Sequence, residues 1–267
     1  MKIGIIVPCF DRALFTKICL DSIVRSLVGE RNDRPLIILN DGSTDETAVV
    51  ISKVGYKGKV VVTHKPNRGL PATYNHGFET AKELGCEAAV IVDNDLLVPA
   101  FFDRMLERDL VDHPKAAIAG LVANDRNVIR WLGRARDDGT LNYDYLFAQQ
   151  ICESTAIGGG ASVAVRIKMW EEAGGFNEDR GSYAYTDHHF FKAARRLGWK
   201  TLVDSRIQCF ELQRVAYTDY DHEEQKLRKR YVAKTKGDPG GKEFGGFLEK
   251  ALSGRVHLMS PSLIDQP

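Results

Sequence analysis

Four short apolar runs limit the folds open to this chain. Residues 3–7, 35–39, 60–62 and 88–92 are hydrophobic without the polar alternation of a half-exposed strand. The stretches between them have helical periodicity. Phe15, Cys19, Leu20, Ile23, Val24 and Leu27 share one face after the first run, and Tyr74, Phe78 and Ala81 share one after the third. Ser43 and Glu46 have capping-box spacing, which predicts another helix ending near Lys53. Strands buried on both faces and separated by helices build a mostly parallel α/β sheet, covered by helices on both sides.

Open sheets of this kind bind ligands beyond the C-terminal ends of their strands. Asp11, Asp41, Arg68 and the triplet Asp93-Asn94-Asp95 all fall on that rim. Two carboxylates one residue apart repel each other unless positive charge sits between them. A hard divalent cation that also bridges phosphate oxygens supplies such charge. In isolation, Asp-X-Asp marks a solvated loop, and Asp41 before Gly42-Ser43-Thr44-Asp45 is a turn with a helix cap. Their shared rim favours the ligand-binding reading.

The second half is less regular. It predicts a helix over about 101–110, a strand at 116–122, a Gly-rich then apolar segment at 157–165 and a helix over 168–173. Asp187-His188-His189 opens a helix carrying Phe190, Phe191, Ala194 and Leu197, stopped by Gly198, and 200–203 is a late strand. Asp187 at such a start is equally an N-cap by residue type. From residue 205 the periodicity fades, apart from a charged helical stretch at 222–234 and a Gly-rich loop at 236–241. One domain over 1–204 is expected, in two halves (1–99 and 100–204), with a tail at 205–267.

Length and composition narrow the class. At 267 residues, 43% hydrophobic and 27% charged, the chain is a globular protein with one substantial core. A net charge of +1 gives no global attraction to nucleic acid. Five scattered cysteines without a Cys-X-X-Cys pair favour reduced thiols in the cytosol. No signal-peptide architecture is recognisable at the start, and no apolar run approaches the ~20 residues that span a bilayer. A soluble cytoplasmic protein is expected, with any membrane association made through its surface.

Several segments resemble the family 2 glycosyltransferases and their GT-A fold. They are Ile5-Ile6-Val7-Pro8-Cys9-Phe10-Asp11, Leu39-Asn40-Asp41-Gly42-Ser43-Thr44-Asp45, the run from Asn67-Arg68-Gly69 to Gly77, and Asp93-Asn94-Asp95. Gly159-Gly160-Ala161 with Arg166, and Gly174-Gly175-Phe176-Asn177-Glu178, follow in order. The likeness implies metal-dependent, inverting transfer of a sugar from a nucleotide diphosphate sugar, a UDP-sugar favoured, to an acceptor hydroxyl, with Mn2+ or Mg2+. It implies Asp95 as direct metal ligand and Asp93 on the ribose or the metal. Asp41 would hold the nucleobase in a slot lined by Pro8 and Phe10. Asn94 joins the donor-binding set, and Arg68 contacts base or phosphate. Asp187 matches the general base. Two departures stand out: Thr186-Asp187 replaces the usual Glu-Asp, and residues 206–211 lack the His that relatives place there as a metal ligand. His222 would substitute if the tail folds back.

Trp131, Gly159, Gly160 and His188 are the acceptor-side candidates. By residue type, Trp131 more often packs as partial core, and His188 more often serves structure. A glycan, a lipid carrier, a protein and a modified nucleic-acid base all remain as acceptors. A non-catalytic nucleotide-sugar-binding scaffold competes with the enzyme, supported by the reduced acid pair. A sugar-phosphate nucleotidyltransferase competes less well, because residues 8–12 lack the glycine of a triphosphate loop.

Overall fold

The computed structural model describes residues 1–27, 33–122, 151–153, 162–178 and 186–212. Its centre is β1 (Ile3–Cys9), flanked by β2 (Leu36–Asn40) and β4 (Ala88–Ile91), both parallel to it. β3 (Val60–His64) lies outside β2. Beyond β4 come β8 (Val163–Arg166), β6 (Ala116–Val122), β9 (Lys200–Glu211) and β5 (Leu96–Leu97), while β7 (Ile151–Glu153) pairs with β9. β8 opposes both β4 and β6, and β6 runs parallel to β9. Among the described residues, six strands therefore point one way, and β5, β7 and β8 run against them. The mostly parallel sheet expected from the apolar runs is present.

Those runs lack alternation because both sheet faces are covered. Ile5 belongs to a core with Ile3, Val7, Ile38 and Val90, under α1 (Ala13–Ser26) and α4 (Phe102–Asp112). Its neighbour Ile6 belongs to a second core with Ile37, Leu39 and Ala89, under α3 (Leu70–Glu83), α5 (Ile167–Glu172) and α6 (Thr186–Arg196). Tyr74, Phe78 and Ala81 lie buried on α3, as their spacing predicts.

Gly77 sets how closely α3 approaches the sheet. A Cβ there would lie 2.6 Å from Ile6 Cγ2 and 3.1 Å from Leu39 Cδ1. Gly77→Ala is therefore expected to destabilise the fold by about 1–3 kcal/mol, because overpacking displaces fully buried strand residues. Urea unfolding checks this, and an unchanged midpoint would refute the close approach.

Two local expectations are corrected. Ser43 does not cap the helix after β2, which is short (α2, Thr47–Ser52). Ser43 Oγ instead accepts the Asp11 N–H at 2.9 Å. Asp45 receives the Thr47 N–H at 2.9 Å and, with its other oxygen, the Ala13 N–H of α1 at 2.8 Å. One carboxylate thus serves the starts of two helices, a pairing that local spacing cannot reveal. The late strand is also longer than its apolar stretch: β9 runs through residue 205, the expected start of the tail, to Glu211.

A register shift between Gly120 and Leu121 opens β9 opposite Asp204. Arg206 fills the opening, with Nη2 at 2.9 Å from Asp109 Oδ1 and 2.8 Å from Asp204 Oδ2. Both acids are buried. Burial, and then the neighbouring Asp204, push the Asp109 carboxyl up to about 8. An aspartate in an unfolded chain titrates near ~3.9. The folded state therefore keeps this proton to higher pH, and the stability it contributes is lost as pH rises towards the folded value. Asp109→Asn, which still accepts from Arg206, is expected to flatten the decline in Tm between about pH 5 and about pH 8. A wild-type slope in the variant would show that Asp109 does not cause it.

Candidate active site

The chain builds β1, β2 and β3 in one direction, then returns through α3 to place β4 on the other side of β1. That reversal is a topological switch point, where the strand ends part and leave a crevice. β1 and β4 stay in register only to Ile6 opposite Ile91. Pro8 lies beyond that point, buried and paired with Leu39 of β2, and Phe10 is half-buried just after the strand. Pro8 therefore removes no bond to β4.

The acidic triplet leaves β4 into this crevice. Tyr74 donates its hydroxyl to Asp93 Oδ1 at 3.0 Å, and Arg12 Nη1 lies 3.1 Å from Asp95 Oδ2. Desolvation is the main cause that raises both acids, Asp93 to about 6 and Asp95 to about 7. Glu211 adds negative charge against both, while Arg12 opposes the rise. Glu211 reaches this position because β5 and β9 pair Leu96 with Glu211, and the Leu212 N–H donates to Asp95 O at 2.7 Å. Asp187, in the first turn of α6, is close enough to raise both Asp93 and the Tyr74 hydroxyl, although burial is the larger cause in each case. Its own Oδ1 accepts the His188 N–H at 2.7 Å.

Asn94 lies between the two acids. It is buried, and its amide donates to Asp11 O at 3.2 Å and to Thr16 Oγ1 at 2.8 Å. The Leu96 N–H donates to Asp93 O at 3.0 Å and closes a turn over the triplet, and the Asn94 side chain ties that turn to the start of α1.

Asp41, also buried, fixes the loop after β3. Its carboxylate accepts the Arg68 N–H at 3.0 Å and the Gly69 N–H at 3.1 Å, and it pairs with Lys65. The tight turn beside it requires Gly42, where φ is 79° and a Cβ would meet Asn67 N at 2.7 Å. The Arg68 side chain is exposed and binds Glu178 at 2.9 Å. Asn75 holds the turn at residues 174–178 that carries Glu178, accepting from Trp170 Nε1 at 3.1 Å and Phe176 N at 2.8 Å while donating to Phe176 O at 2.8 Å. His188 is exposed, with its ring edge-on to His189 at 5.9 Å. Trp131, Gly159, Gly160 and His222 lie outside the described residues.

The donor set suits a hard divalent cation. Buried carboxylates raised by desolvation and by one another are relieved by added positive charge. Among the described residues, no three His, Cys, Asp or Glu side chains form a ready cage. Asp93 and Asp95 match a cation that shares its ligands with phosphate oxygens.

The sequence profile described as glycosyl transferase family 2 matches residues 4–172, which include Asp11, Arg12, Asp41, Arg68, Tyr74, Asp93 and Asp95 but not Glu178, Asp187, His188 or Glu211. The chain belongs to that family.

Among family 2 relatives, chondroitin synthase of Pasteurella multocida (strain Pm70) is 28% identical over 180 residues, covering 66% of this chain but only 17% of that protein. Glycosyltransferase EpsJ of Bacillus subtilis (strain 168), itself uncharacterised, is 27% identical over 106 residues, covering 39% of this chain and 29% of its own. This chain thus spans under a third of either relative. Among solved structures, the mannosyltransferase PcManGT of Pyrobaculum calidifontis, in complex with GDP-Man and Mn2+, superposes with a TM-score of 0.62 at 18% identity. That match covers 90% of this chain and 66% of the other. GalNAc-T7 with UDP, GalNAc and Mn2+ gives 0.63 at 13% identity, covering 79% of this chain and 44% of the other. At these identities the likeness establishes the GT-A fold.

Within this family 2 rim, sequence reasoning missed Arg12, Tyr74 and Glu211. Arg12 had a signal, since it is a cation directly after Asp11 on an acidic rim. Tyr74 was legible only as part of an apolar face. Glu211 lies in the stretch inspected for a missing His, and only the β5–β9 register brings it to Asp95.

Proposed function

We propose that this family 2 chain transfers a sugar from a nucleotide diphosphate sugar, with a UDP-sugar favoured, to an acceptor hydroxyl with inversion. The observation that carries this reading is that Asp93 and Asp95 leave β4 at the switch point of the sheet, with Asp187 near enough for its charge to raise Asp93. Asp93 and Asp95 are the residues to hold a divalent cation, Mn2+ or Mg2+. When bound, it neutralises the departing diphosphate as a Lewis acid. Asp41 and the loop it fixes form the side of the crevice assigned to the nucleobase. Tyr74 keeps Asp93 oriented by its hydroxyl, as an outer partner orients a ligand. Asp187 takes the proton from the attacking hydroxyl, and its carboxylate stands in a helix first turn where negative charge is favoured.

The Mn2+ named with two of the superposing structures supports the choice of a divalent cation, and UDP with one and GDP-Man with the other define the donors to compare. Four buried free thiols, at Cys9, Cys19, Cys86 and Cys209, suit a reducing cytoplasm. Among the described residues no helix is long and apolar enough to cross a membrane.

Calorimetric titration with UDP, GDP and dTDP, each with and without Mn2+, tests the donor site. Metal-dependent binding of one nucleotide is expected. Failure of a folded protein to bind any of them overturns the reading, and donor binding without turnover over a screen of acceptors would favour the scaffold.

A further inference from the structure

We propose that Arg12 is an exchangeable counter-cation of Asp95: its guanidinium holds that carboxylate until a divalent cation takes it, then moves to the oxygens of the nucleotide diphosphate. The inference rests on the donor-site reading above and adds a residue to it.

The backbone is arranged to aim this side chain. Asp11 and Arg12 have φ of 52° and 65°, the left-handed region that residues with a Cβ rarely occupy. Such strain persists only where surrounding contacts over-determine it. Here the Asp11 N–H donates to Ser43 Oγ at 2.9 Å, Asp11 Oδ1 accepts the Thr44 N–H at 2.7 Å, and Asp11 O accepts from Asn94. Arg12 precedes α1 but makes no side-chain cap for it. The turn instead delivers its guanidinium to Asp95. The side chain of Arg12 keeps 22% of its surface exposed and that of Asp95 only 6%. The Arg12 side chain therefore reaches solvent beside a carboxylate that is almost wholly covered.

Charge makes the two occupants exclusive. A guanidinium and a divalent cation on one desolvated carboxylate repel each other at short range. The same guanidinium is a planar fork suited to diphosphate oxygens. By linkage, the Arg12–Asp95 pair weakens metal binding when no diphosphate is present. A diphosphate that draws Arg12 away strengthens it by the same factor. Part of the cooperativity between metal and nucleotide is therefore assigned to Arg12.

The test measures Mn2+ binding by electron paramagnetic resonance, first alone and then with UDP or GDP, for wild type, Arg12→Ala and Arg12→Lys. Arg12→Ala is expected to bind Mn2+ alone at least about fivefold tighter. Its Mn2+-dependent nucleotide affinity is expected to fall about tenfold, the loss of a charge-assisted bond. Arg12→Lys, which keeps the charge, should stay near wild type for Mn2+ alone. Arg12→Gly, which suits the left-handed backbone, carries the same readout if the alanine variant folds poorly. If wild type binds Mn2+ with nucleotide but Arg12→Ala and Arg12→Gly bind Mn2+ alone no tighter, the exchange is wrong and the donor site stands. If wild type binds no nucleotide with the metal, the donor-site reading fails and this inference with it.

Discussion

Asp187→Asn is expected to lower kcat about a thousandfold, the middle of the range for removing a general base. Nucleotide affinity should stay within about twofold, since charge changes act weakly once they are not in direct contact. The substitution is close to isosteric, and an amide oxygen still accepts the His188 N–H that the carboxylate accepts at 2.7 Å. The start of α6 is therefore preserved, while the group able to take a proton is gone. Loss of Asp187 also removes one of the charges that raise Asp93 and the Tyr74 hydroxyl, so both should ionise more readily. Measured transfer rates at saturating donor decide the matter. Near-wild-type turnover would remove Asp187 from the mechanism and leave it as a first-turn acid of the helix.

Asp95→Ala should weaken metal-dependent nucleotide binding by about a hundredfold or more if, as proposed, Asp95 is the direct ligand of a cation that holds the diphosphate. Stability should change in a different way. Asp95 is a buried carboxylate pushed up to about 7 by desolvation, Glu211 and Asp93, with Arg12 and a backbone hydrogen bond easing it. Removing such a charge relieves repulsion while breaking the Arg12 contact, and the net change is expected within about 1 kcal/mol. Calorimetry for binding and urea unfolding for stability separate the two. Equal losses in both would mean that Asp95 is a structural acid. Retained metal-dependent binding would move the metal elsewhere.

Arg12 and Asp187 show what each level of description decides. The four apolar runs, the helical faces between them and the polar residue after each strand were legible by themselves. Burial on both faces suppresses alternation, and each strand end must turn into a helix. From these alone the doubly covered sheet and its polar rim followed, because they depend on local order along the chain. What the sequence left undecided lies in contacts between distant segments. Asn94 binds the start of α1 through its amide, a contact across about eighty residues that its place in the triplet does not announce. Asp45 caps two helices at once, and Ser43 serves the turn at Asp11. Glu211 meets Asp95 across more than a hundred residues only through the pairing of a two-residue strand with the end of β9. Arg12 meets Asp95 because a left-handed turn overrides the usual backbone preference. Periodicity and composition determined which elements form. The tertiary structure alone decided which side chains meet, since the register of β9 and the turn at Asp11 are held by partners that no local window contains.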